Sequence, residues 1–203
     1  MEIDLASYKL PSDNYVSTET AKKQIVFGHT FNHDMKHVIG WSHRYHGKYK
    51  KTAAYTISTD GTIYQHFDPK YHSRYFNKPE LDSKCIVILL ENDGWLIRDV
   101  EKNEFYTWIG HIYSQPDRVI EKRWREYTYW APYTQEQLES ALSLVTKLCG
   151  DFNIPVMAIN HNTKIDNLLG YEGVIYRSNL EKHYTDLSPS WDCETFKNKL
   201  ELI

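Results

Sequence analysis

At 203 residues the chain is the size of one domain, or of one domain with an insertion, and its hydrophobic share of 41% is enough for a real core. A net charge of −3 gives no reason to expect nucleic acid or an anionic membrane as a partner, and no apolar run approaches the length that spans a bilayer. The three cysteines, Cys85, Cys149 and Cys193, are far apart and odd in number, which argues against a disulfide framework and fits a reducing cytoplasm.

Met1 to Ser12 lacks a basic start followed by an apolar stretch, so no signal peptide is expected and the reading is cytoplasmic. Residues 1–22 read as an irregular arm, with Pro11, Ser12, Asp13 and Asn14 as turn formers. Residues 23–203 read as the folded domain. Gln24 to His29 is a short β-rich run and reads as a buried strand. A helix is expected from Asn32 or Asp34 to about Tyr45, on the spacing of Met35, Val38, Ile39 and Tyr45, with Gly47 ending it. Thr52 to Ser58 and Thr62 to Phe67 flank Asp60-Gly61, a strong hairpin signal because the preferred two-residue turn needs positive φ at both central positions. Cys85 to Leu90 is continuously apolar and should be a central strand.

Residues 93–132 read as a peripheral insertion, with Trp95 to Val100 and Glu104 to Ile109 as a candidate second hairpin. Its aromatic cluster Tyr127, Tyr129, Trp130 and Tyr133 suits either a sugar-stacking ledge or packing onto the core. Thr134 to Cys149 is the clearest helix. Thr134 and Gln137 form a capping box, Leu138, Ala141, Leu142, Val145, Leu148 and Cys149 share one face, and Gly150 is the expected stop. Ile154 to Ile159 and Gly173 to Arg177 read as strands, and Trp191 to Leu200 as a final amphipathic helix. The mixture predicts an α/β single domain with a central mixed β-sheet flanked by helices.

Three segments, Lys23 to Thr30, Thr59 to Tyr64 and Tyr184 to Trp191, resemble in order and separation the zinc-dependent N-acetylmuramoyl-L-alanine amidases, the group that includes phage endolysins and peptidoglycan recognition proteins. The resemblance implies an amidase/peptidoglycan-recognition-like fold and three zinc ligands with one open position for water. The first ligand position falls on Gly28, with His29 beside it on the strand and therefore pointing to the other face. The second falls on Arg177, or on Tyr176 if the register shifts by one, and a guanidinium has no lone pair to give. The third falls on Asp186, with Tyr184 where the family often has Lys. Ala53 and Ala54 stand where a Tyr or His is usual, Leu89 takes an acidic place, and a further His is represented by His72 or Tyr75.

The resemblance therefore implies a degenerate zinc site: zinc is the family's cofactor and is expected to be lost, with Asp186 and His29 the metal residues if any remain. The groove walls it implies are His29, Tyr55, His72, Tyr75, Asn92, Arg177 and Asp186. An Asp186–Arg177 ion pair filling the metal's place is one expectation, and a turn-capping Asp186 the other. The leading function is an inactive amidase-fold protein that binds a peptidoglycan fragment, another small ligand or a protein partner, with no nucleic acid and no membrane insertion. One alternative is an active endolysin-like amidase whose zinc is held by His29, Asp186 and one of His33, His37 or His72. Another is a structural or host-defence-countering scaffold of a bacteriophage, since fold alone does not decide function. His33 and His37, at i and i+4, lack the Glu of a metalloprotease helix and read as an ordinary helical pair.

Overall fold

The computed structural model describes residues 2–32, 34–180 and 183–202. Six strands form a mixed sheet in the order β1 (Ile3–Asp4), β4 (Ile63–Gln65), β3 (Tyr55–Ile57), β5 (Cys85–Leu90), β2 (Gln24–His29), β10 (Gly173–Tyr176). All neighbours run parallel except the β3–β4 hairpin. The two central strands, β2 and β5, are buried along their whole length, which is why both read as unbroken apolar runs.

One face of the sheet carries α3 (Gln135–Phe152) and α4 (Cys193–Glu201), with Phe27 of β2 edge-on to Phe196 at 5.7 Å. The other face is covered by α1 (Lys36–His43) and by the arm: Trp41 lies edge-on to His66, whose Nε2 meets the Thr56 hydroxyl at 2.8 Å. The predicted mixed α/β architecture is therefore the observed one. Thr134 caps α3 as expected, accepting from the Gln137 N–H while the Gln137 side chain accepts from the Thr134 N–H.

Several boundaries differ for local reasons. Helix α3 runs through Gly150 and stops at Asn153, which takes the left-handed conformation at φ 51°. In the β3–β4 hairpin only Gly61 has positive φ, and the Gly61 N–H donates to Ser58 O, so the turn is longer than the two-residue form. Ile154 to Ile159 forms no strand; Ala158 makes one isolated bridge to Val174, and the Met157 N–H turns back to Pro155 O. The arm is more ordered than expected. Its β1 extends the sheet, and Asn14 is fully buried, its amide donating to Tyr49 O at 2.7 Å and Trp41 O at 3.1 Å. A short helix not foreseen, α2 (Pro79–Lys84), leads into β5.

Residues 93–132 build a second, four-stranded sheet in the order β7 (Glu104–Tyr106), β6 (Trp95–Asp99), β9 (Tyr127–Trp130), β8 (Ile120–Trp124). It has its own small core of Leu96, Tyr113 and Ala131, flanked by Phe105, Val119 and Tyr129. Within it Trp95 stacks on Tyr127 at 4.4 Å. Asn92 brackets the segment where it leaves and rejoins the main sheet: its amide donates to Ala131 O and Pro132 O, and its Oδ1 accepts from the Gly94 N–H. Among the described residues no helix is long and apolar enough to cross a membrane.

Histidines inside the fold are held neutral, His29 and His66 among them. Burial pushes the imidazoles of His29 and His66 down to about 4. Below about pH 6.5 the unfolded chain takes up protons at these positions that the folded chain refuses. Stability should therefore be intact above pH 6.5 and fall progressively as pH drops toward 4. Urea midpoints measured at about pH 7.5 and about pH 5 check this; equal midpoints would show that neither ring resists protonation.

Candidate functional site

The site is set by strand register. Parallel pairing places Gly28 opposite Leu89, and Tyr176 opposite Phe27, so Arg177 leaves the end of β10 beside Gly28. Alternation along the strands then divides the neighbours: Gly28, Leu89 and Arg177 serve one face, while Phe27, His29 and Tyr176 serve the other. The space above Gly28 is filled. A methyl group added there would lie 2.7 Å from Asp186 Oδ2, 2.7 Å from the Tyr75 hydroxyl and 3.1 Å from Leu89 Cδ2. The residue that replaces a side chain with a bare backbone thus looks directly at a buried carboxylate and a phenol.

Arg177 supplies the charge that faces this carboxylate. Its Nη1 lies 3.5 Å from Asp186 Oδ2, and the two side chains are 14% and 1% exposed. The guanidinium carbon sits 4.0 Å from the centre of the Tyr184 ring and 5.1 Å from that of Tyr75. A planar cation between aromatic faces gains from the ring quadrupoles, most of all where water is excluded. Burial acts against the Arg177 charge, but Tyr75, Asp186 and Tyr184 outweigh it and hold the guanidinium above its ordinary range. Burial likewise raises the Tyr75 phenol, so the hydroxyl stays protonated. Lys51, at the exposed rim, is pulled down by burial and by repulsion from Arg177. The Asp186 carboxylate also receives the His29 backbone N–H at 3.4 Å, while its Oδ1 and the Arg177 Nε have no hydrogen-bond partner among the described residues.

Of the residues expected to line one groove, the fold brings together Tyr75, Arg177 and Asp186. The His29 side chain is on the opposite face: its Nδ1 meets the Tyr133 hydroxyl at 2.9 Å and its ring packs edge-on against Phe31. Tyr55 pairs with Ile88, one residue out of phase with Leu89, so it also faces away, its hydroxyl donating to Gln65 Oε1. His72 bridges Val16 of the arm through its backbone. Asn92 lies at the seam between the two sheets, where it lines a cavity of about 640 Å³ together with Asp60, Tyr113, Arg118 and Glu136. Of the histidines named for a relocated metal, His37 lies against Trp41 and Asp34, and His33 lies outside the described residues. Among the described residues no group of three or more His, Cys, Asp or Glu side chains is placed to hold a metal ion.

The stacking role of Tyr184 was not legible beforehand, because only the fold brings that loop over the end of β10. The insertion also reaches this edge. Arg125 donates from Nη2 to Ser178 O, next to Arg177, and the Trp108 indole donates to Phe31 O.

Comparison with known proteins agrees with this fold. A search of curated protein sequences gives no match. Among solved structures, the N-acetylmuramoyl-L-alanine amidase LysC from Clostridium intestinale superposes with a TM-score of 0.56 at 14% identity, covering 99% of this chain and 98% of that one. AmiD from E. coli, solved with the substrate anhydro-N-acetylmuramic acid-L-Ala-D-gamma-Glu-L-Lys, gives a TM-score of 0.56 at 12% identity over 91% of this chain and 59% of that one. The Drosophila peptidoglycan recognition protein SD gives 0.50 at 11% identity over 95% and 96%. At these identities the structures attest the fold. The sequence profile of the N-acetylmuramoyl-L-alanine amidases matches residues 18–170, well over half of the chain and across β2, the β3–β4 hairpin, β5 and α3, and on that match the chain belongs to the N-acetylmuramoyl-L-alanine amidase family.

Proposed function

We propose that this chain is an amidase-fold protein that has lost zinc-dependent hydrolysis and acts by binding a peptidoglycan fragment. The observation that carries the reading is the Arg177 guanidinium 3.5 Å from Asp186 Oδ2, the carboxylate oxygen that faces Gly28. A guanidinium offers no lone pair, and beside the one carboxylate it repels any further cation. The donors that remain are one carboxylate and one protonated phenol, short of the three protein ligands that catalytic zinc requires. Without a metal to acidify water and polarise the amide carbonyl, hydrolysis of the muramoyl–alanine bond has no driving group here.

The ligand class is supported by the family and by the fold shared with a substrate-bound amidase and a peptidoglycan recognition protein. The seam cavity beside Asn92 offers hydrogen-bonding groups of the kind a muramyl peptide carries. Protein purified without chelator should contain no stoichiometric zinc, should release no peptide from cell wall, and should bind a muramyl peptide in calorimetry. Stoichiometric zinc with chelator-sensitive peptide release would restore the enzyme reading. No zinc and no heat of binding would favour a scaffold.

A further inference from the structure

On the far side of the sheet from Arg177, a thiol and an imidazole meet in a cavity that the reading above does not use. Cys193 is the first residue of α4, directly after the capping residue Asp192, whose carboxylate accepts the Thr195 N–H at 2.9 Å. Its Sγ lies 3.0 Å from His161 Nδ1, and both residues are buried. The His161 backbone is held by the Ser178 hydroxyl, which donates to its carbonyl at 2.8 Å, and Trp124 stands edge-on to the imidazole at 5.3 Å. Both Cys193 and His161 line a cavity of about 450 Å³, with Lys122, Asn160, Ser190 and Trp191 among its walls. Trp191 is buried, and its indole N–H is directed at the buried Tyr176 hydroxyl.

We propose that Cys193 and His161 form a nucleophilic pair that takes an acyl group from small activated acyl donors, esters or thioesters that fit this cavity. A thiol at the first residue of a helix, with an imidazole nitrogen in contact, has the two features that make cysteine a nucleophile: a positive helix end and an adjacent base. The surroundings tell how the proton moves. Burial pushes the Cys193 thiol up to about 11 and the His161 imidazole down to about 4, so the resting pair is S–H against a neutral ring. Lys122 of β8 and Arg125 of the turn after it face the imidazole and disfavour its protonation. Tyr176 of β10 and Asp192 at the head of α4 face the thiol, and Glu194 lines the same cavity.

As Cys193 Sγ bonds to the acyl carbon, the thiol proton passes to His161 Nδ1. The carbon–oxygen or carbon–sulfur bond to the leaving group then breaks, and the imidazolium returns that proton to it. Water, deprotonated by the same ring, next bonds to the acyl carbon, the C–S bond breaks, and the thiol regains the proton. Because the base is neutral above about pH 4 and the thiol ionises only near 11, acylation should be flat across roughly pH 5 to 9.

The probe is p-nitrophenyl acetate with the intact chain. The expected result is a burst of one equivalent of nitrophenol followed by slower turnover, an acetyl group on the peptide containing Cys193 in protein quenched during the burst, and a burst rate that holds level over that pH range. His161→Gln should lower the rate at pH 7 on the order of a hundredfold and restore a climb with pH. Cys193→Ser should remove the adduct from that peptide while the other cysteines report the background. Should His161→Gln fail to fold, the wild-type pH profile decides alone. Acetylation of Cys193 only in unfolded protein, or a wild-type rate climbing tenfold per pH unit, would overturn the proposal.

Discussion

Replacing Arg177 with methionine should cost about 3–5 kcal/mol of stability, because it strands the Asp186 carboxylate in a place that water does not reach. At the observed 3.5 Å the attraction between the two charges is about 5 kcal/mol at an effective dielectric of 20, similar in size to the several kcal/mol needed to desolvate each ion. The pair therefore contributes little on balance, yet breaking it is expensive. The matched double variant Arg177→Met with Asp186→Asn should recover much of the loss, since the amide carries no charge to strand. Urea unfolding of the wild type, both single variants and the double variant measures the coupling directly. An Arg177→Met protein within 1 kcal/mol of wild type would mean that Asp186 is not held by this guanidinium.

The second large effect is a gain of metal binding. Replacing Gly28 and Arg177 with histidine puts two imidazoles beside Asp186, but the Tyr75 hydroxyl and Asp186 Oδ2 would each stand 2.7 Å from the new Cβ at position 28, and only the carboxylate, freed of Arg177, can swing away. Overpacking of this kind costs about 1–3 kcal/mol or more. The triple variant Gly28→His, Tyr75→Ala, Arg177→His clears the phenol and supplies two nitrogens and one carboxylate oxygen, with a fourth position open. It should bind zinc and melt higher with it, by about 2.7 kcal/mol of added stability when free zinc is a hundredfold above its dissociation constant. The pair of histidine substitutions without the Tyr75 change should bind much more weakly. A triple variant that keeps native circular dichroism and takes up no zinc, by dialysis and metal analysis, would show that the alignment of Gly28, Arg177 and Asp186 with the ligand positions is wrong.

How much of this was legible in the sequence follows from the range of each interaction. The opposition of Gly28 and His29 was readable, because neighbouring residues in a strand face apart whatever the rest of the chain does. Tyr55 was misplaced among the groove residues for the converse reason: its side depends on pairing with Ile88 rather than Leu89, which no local pattern records. The β8–β9 hairpin escaped notice because its first strand carries Glu121, Lys122 and Arg123 in a row and its turn puts Arg125, not a glycine, at φ 57°. The segment from Ile154 looked like a strand by composition, but Pro155 has no N–H to give a ladder and only Ala158 bridges. The contact of His161 with Cys193 had no signature at all, since the two come from separate elements and meet only when α4 lies down on the sheet.

The pairing of β10 with β2 has a consequence for how the chain reaches its native state. Gln24 meets Gly173, so the strand at the centre of the sheet lacks one neighbour until a segment far downstream in the chain arrives. Closing so wide a loop has to be achieved before its contacts repay it, which places this protein among slowly folding topologies. While a ribosome is still at work, the apolar edge of Ile25 and Phe27 lies bare, open to aggregation or to a chaperone.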